Sequence, residues 1–146
     1  MEAQISNNEI MAMREILEDY TPAKYALDNL ARHNGKVERS FEDLWIEKNG
    51  KTLMSEGKSL WKVTLKVLRK ELCDDDGFRV QLQEYTKNPK SSPLLYGVIV
   101  SLVTLATTNG LPIDPAIATV IVLYILKIGL NIFCEYTQPE TVNSTQ

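Results

Sequence analysis

The sequence predicts an all-α protein with an N-terminal three-helix bundle, amphipathic middle helices and a C-terminal apolar helical hairpin. Three observations lead there. Apolar residues recur at helical spacing from Asn8 to Asn49. After Ser59, apolar and basic residues divide one helix between two arcs. From Ser91 to Cys134 the only formal charges are Asp114 and Lys127, although fifteen of the sixteen Lys and Arg residues precede Ser91.

The first helix is marked by Ile10, Met13, Ile16, Leu17 and Tyr20 and ends where Thr21-Pro22 supplies an N-cap and a proline for the second. The second presents Ala23, Ala26, Leu27 and Leu30 and stops at His33-Asn34-Gly35; a third starts near Lys36, carries Val37, Phe41, Leu44 and Trp45, and ends at Asn49-Gly50. Short helices with one apolar stripe each can bury those stripes only against neighbours.

The run from Ala26 to Leu44, with its Ala-Leu pair, Asn34-Gly35 turn and Val37-Glu38-Arg39-Ser40 start to the last helix, resembles helices two and three of a UBA-like (ubiquitin-associated-like) domain. The resemblance implies a small docking module over residues 8–49. Members of that family meet partners through an apolar loop after helix one and the apolar end of helix three. In this chain the loop position reads Glu18-Asp19-Tyr20, so Tyr20, Leu44 and Trp45 are the partner-binding residues that the resemblance implies.

Residues 51–58 read as a linker. Ser59 then caps a helix whose apolar arc holds Leu60, Trp61, Val63, Thr64, Leu65, Val67, Leu68 and Leu72, and whose remaining face holds Lys62, Lys66, Arg69 and Lys70. Asp74-Asp75-Asp76-Gly77 ends it and charges the first turn of a shorter helix with Phe78, Leu82 and Tyr85 on one side. The amphipathic segment spans 59–88, the apolar hairpin 93–136, and a mobile polar tail 137–146.

Two placements satisfy the hairpin. In a bilayer, Leu95, Ile99, Leu102, Ile121 and Ile125 would face lipid, Lys62, Lys66, Arg69 and Lys70 would meet anionic headgroups, and the termini would stay cytoplasmic because the 109–115 loop has no basic residue. Gly97 and Ser101 form a small-xxx-small pair suited to close helix contact. Against that placement, the run Leu94–Thr108 falls short of the ~20 residues a span needs, and the run Ala116–Cys134 holds Lys127. In the alternative placement the hairpin is the core of a cytoplasmic interaction protein, in which self-association would also shelter it.

Chemistry is sparse. A net charge of −3 argues against nucleic acid as partner. His33 with Cys73 and Cys134 lacks zinc-ligand spacing, and the aspartate triplet lacks the acids that a calcium loop needs at Leu72 and Gln83. No cofactor and no enzymatic reaction are expected. Residues Met1 to Asn8 have neither the basic start nor the apolar core of a secretion signal, and two cysteines make no disulfide framework, so separate packed thiols in a reducing compartment are expected. These readings together predict a non-catalytic adaptor or effector, docking a protein through 8–49 and associating with a membrane through the hairpin.

Overall fold

A computed structural model describes residues 3–50, 59–74 and 76–136; the expected linker and tail lie outside them. Among the described residues there are eight helices: α1 (Asn7–Ile16), α2 (Thr21–Arg32), α3 (Val37–Asn49), α4 (Leu60–Asp74), α5 (Asp76–Lys87), α6 (Ser92–Thr108), α7 (Pro115–Ile128) and α8 (Leu130–Tyr136). The all-α expectation holds.

Their ends follow from local chemistry. Ser6 and Glu9 form a reciprocal capping box on α1, the Ser6 hydroxyl accepting from Glu9 N at 3.1 Å and the Glu9 carboxylate from Ser6 N at 2.8 Å. Helix α2 begins one residue earlier than expected: Tyr20 is its N-cap and Thr21 its first residue, with no side-chain cap. The α2–α3 turn puts Asn34 and Gly35 at φ +58° and +78°, and Gly35 N donates back to Leu30 O at 2.8 Å. Ser91 and Asp114 cap α6 and α7, each followed by a proline in the first turn.

Helix α7 is the axis of the fold. All residues from Ala116 to Ile125 are buried, and α2, α3, α6 and α8 pack around it. A helix that is apolar on every side can be stable in water only if protein surrounds it completely, which this arrangement achieves. Within it the buried Thr119 hydroxyl donates to Pro115 O at 2.8 Å. Helix α6 buries only a stripe, Leu95, Val98, Ile99, Leu102 and Ala106, against α4, α5 and α7.

The second apolar run is not one rod. Gly129, at φ +91°, separates α7 from α8, so α7 has 14 residues and a length of about 21 Å. No helix among the described residues is long and apolar enough to cross a membrane. Lys127, expected deep within a rod, lies in the last turn of α7 and pairs with Glu9 at 2.9 Å. Gly97 does not mediate close packing either: a Cβ built there meets nothing within 4 Å.

An aromatic chain ties four helices together. Trp45 and Phe41 of α3, Trp61 of α4, Tyr124 of α7 and Phe133 of α8 follow one another at centroid separations of 5.7, 5.1, 5.0 and 6.3 Å. Helices α2 and α3 therefore contribute to the same core as α6 and α7.

Candidate interaction surface

The burial of α7 decides where the expected site residues lie. Leu95, Ile99, Leu102, Ile121 and Ile125, expected to face lipid, are each 0% exposed. They are corrected to core residues, because the neighbouring helices already supply the apolar surroundings that lipid would have supplied. Leu44 and Trp45 are buried in the same core, and Tyr20 is half-buried with its ring 5.1 Å from Tyr96. Burial, and secondarily Tyr96, pushes the Tyr20 phenol above its ordinary range. The three residues implied as a docking face thus meet the protein's own interior.

Helix α4 keeps an outward face. Trp61, Thr64, Leu65, Leu68 and Leu72 turn inward, while Lys62, Lys66 and Lys70 are exposed with Val63 (42%) and Val67 (38%) between them. The two valines are corrected from the core arc to the surface: the inward positions follow a strict i, i+3, i+4, i+7, i+11 stripe that leaves 63 and 67 outside. None of the three lysines forms an ion pair among the described residues. No acidic residue interrupts the face between 62 and 70. Arg69 differs from its neighbours, since its Nε donates to Cys134 O at 3.1 Å.

Two features are absent from the sequence reading. The first is a polar brace between α2 and α3: Ser40 Oγ donates to Asn29 Oδ1 at 2.8 Å, Asn29 Nδ2 donates to Asp43 Oδ2 at 2.8 Å, and His33 Nε2 lies 3.0 Å from the same oxygen. Those contacts, His33 first and Asn29 second, hold the Asp43 carboxyl below its ordinary value. Ser40 uses its hydroxyl on Asn29, so the group is a strut and not a nucleophile with its base. Its signal in the sequence is Asn29 in the middle of an apolar helical stripe.

The second is a disulfide. Cys73 of α4 and Cys134 of α8 are joined, which corrects the expectation of separate thiols; they lie 61 positions apart, a distance at which sequence gives no pairing signal. Among the described residues no group of His, Cys, Asp or Glu could hold a metal ion. A surface depression of about 670 Å³ forms an open groove between α5 and α6, edged by Val80 and Val100 and crossed by the Ser101–Gln81 hydrogen bond. On the outward face of α4, exposed lysines and two exposed valines lie side by side. No protein-family model, curated protein or solved structure matches this chain.

Proposed function

We propose that this chain is a non-catalytic interaction protein that docks an acidic, apolar-edged segment of a partner protein on the outward face of α4. One observation carries the reading: Lys62, Lys66 and Lys70 run beside the exposed pair Val63 and Val67 on one helix face, without an ion pair among the described residues, in a protein whose net charge is −3. Cations around a small apolar strip favour a carboxylate-bearing, amphipathic partner, with charge guiding encounter and the valines supplying contact area. The apolar pair α6 and α7 serves as the core that holds this face rigid. The UBA-like resemblance of 8–49 enters as architecture, with its customary contact residues Leu44 and Trp45 turned to the core.

A protein partner is favoured over a bilayer by the composition of the face. Its lysines number three where lipid-binding basic clusters hold about four to eight, and its apolar residues are valines where interfacial helices insert Trp, Phe or Leu. The test uses an acidic amphipathic helical peptide with alternating Glu and Leu positions, titrated into the labelled protein while amide shifts are followed. Perturbations confined to 62–70 that weaken with salt and vanish in the K62E/K66E/K70E variant are expected. Equal binding by the variant would overturn the reading. Retention on phosphatidylserine vesicles without peptide binding would replace the protein partner by a membrane.

A further inference from the structure

Helix α8 is held to the rest of the molecule by few contacts. It rests on α4 and α7, and of its side chains from Leu130 to Glu135 only Phe133 is buried. Seven residues are too few to keep a helix formed in water, so its persistence depends on what anchors it. Its anchors converge on one spot. Phe133 meets Tyr124 edge to face at 6.3 Å, Arg69 Nε donates to Cys134 O, and Arg79 bridges both sides of the disulfide, to Cys73 O at 3.1 Å and Asn131 Oδ1 at 3.3 Å. At the other end Gly129 joins α8 to α7 at positive φ, with open space where a Cβ would lie and with backbone hydrogen bonds to Ile125 and Phe133, so the hinge carries no side-chain obstruction.

We propose that the Cys73–Cys134 bond is a redox-operated latch that keeps α8 closed over the aromatic chain, and that a dithiol reductant opens it. Both cysteines are partly exposed, so the bond is within reach. The thiolate of the dithiol attacks one Sγ and breaks the bond, and the second thiol of the reductant then displaces the mixed disulfide. Two electrons and two protons pass to the protein, leaving Cys73 and Cys134 as thiols and the reductant as its own disulfide. While the bond exists, Phe133 is tethered beside its seat. Once it is broken, the same seat must hold a short helix through one buried ring, the partly buried Leu130 and Cys134, and two arginines. Opening swings α8 about Gly129, carries Phe133 into water, uncovers the Tyr124 edge and releases Arg69 beside Lys66 and Lys70. The latch does not rest on the docking role proposed for α4.

Hydrogen exchange on the full chain, oxidised and then with excess dithiothreitol, tests this. Amides of residues 131–136 are expected to exchange about tenfold faster after reduction while those of α2 and α7 keep their protection. The double variant C73S/C134S should reproduce the reduced pattern without reagent. Unchanged protection at 131–136 overturns the latch, as does an equal loss across α2 and α7, which would make the bond a staple of the whole fold. Free thiols persisting after incubation with oxidised glutathione overturn it as well.

Discussion

Lys127 reaches across 118 residues to Glu9, its Nζ lying 2.9 and 3.1 Å from the two carboxylate oxygens. The contact joins the end of the central helix to the start of the first, and Glu9 meanwhile accepts from Ser6 N in the capping box. The Ser6 amide, and then Lys127, hold the Glu9 carboxyl below its ordinary value of 4.5. A depressed folded-state value contributes stability that is complete above the ordinary value and disappears as pH falls through the lower one. Both side chains are more than a third exposed, at 38% and 44%, so the pair contributes only about 0.2 to 1 kcal/mol. Glu9→Gln keeps an acceptor for the cap but removes the charge. Urea midpoints followed from neutral pH down through the carboxylate range should fall less steeply in the variant than in the parent, and parallel curves would assign the acid sensitivity elsewhere.

Ile121 separates the core role of α7 from a lipid-facing one. It is 0% exposed with buried residues on every side along the helix, so Ile121→Ala leaves a cavity and should lower stability by about 2 to 5 kcal/mol. A residue that faced lipid, or any exposed surface, would tolerate the same change within about 0.5 kcal/mol. Chemical denaturation of the two proteins without detergent distinguishes the cases. The midpoint should move while its slope stays constant.

The brace centred on Asn29 makes a different kind of prediction. Asn29 is fully buried, and its amide serves Ser40 on one side and Asp43 on the other. Asn29→Ala strands a buried Ser40 hydroxyl and removes a donor from Asp43, a loss of about 1 to 3 kcal/mol. Ser40→Ala combined with Asn29→Leu removes both partners and should recover much of it by thermal melting, because paired removal leaves no stranded polar atom there. The Asp43 contribution has the sign of the Glu9 one: its depressed carboxyl stabilises above its ordinary value of 3.8 and loses that effect as acid protonates it. His33→Ala should weaken this acid dependence.

Helical period was the legible part of the chain. Phe78, Leu82 and Tyr85 read correctly as one buried side of α5, and Asn34-Gly35 as the α2–α3 turn, since each depends only on neighbours along the sequence. Burial of Leu95, Ile99, Leu102, Ile121 and Ile125 was legible only as a need for apolar surroundings. Lipid and protein meet that need equally well, and the choice was made by α2, α3, α4 and α5, whose inward stripes carry no address in the sequence. The same limit hid Cys73–Cys134 and Asn29–Asp43, pairs whose members belong to different helices. Lys127 gave a partial signal. A lysine two residues before a glycine marks a helix end as readily as it marks a costly charge within a span, and Gly129 settles which applies.

Two glycines should respond to alanine in opposite directions. Gly35 sits at φ +78°, where its carbonyl accepts from Ile5 N at 2.8 Å, and a Cβ built on it would lie 1.9 Å from Ile5 O. Neither partner can give way cheaply, because the clash is with backbone and the short Gln4–Lys36 bridge beside it fixes the approach of the N-terminal segment. Positive φ alone costs an alanine roughly 1 kcal/mol. Displacing the segment would also unseat Ile5, which is 5% exposed. Gly35→Ala should therefore lower stability by well over 1 kcal/mol, at the upper end of single substitutions. Gly97 lies inside α6 with open space where its Cβ would be, so Gly97→Ala removes unfolded-state freedom without a clash and should raise stability by about 0.5 to 1 kcal/mol. Thermal melting of the two variants gives the answer directly. A stabilised Gly35→Ala would show that the N-terminal segment does not pass over the turn, and a destabilised Gly97→Ala would show that another surface fills the space beside α6.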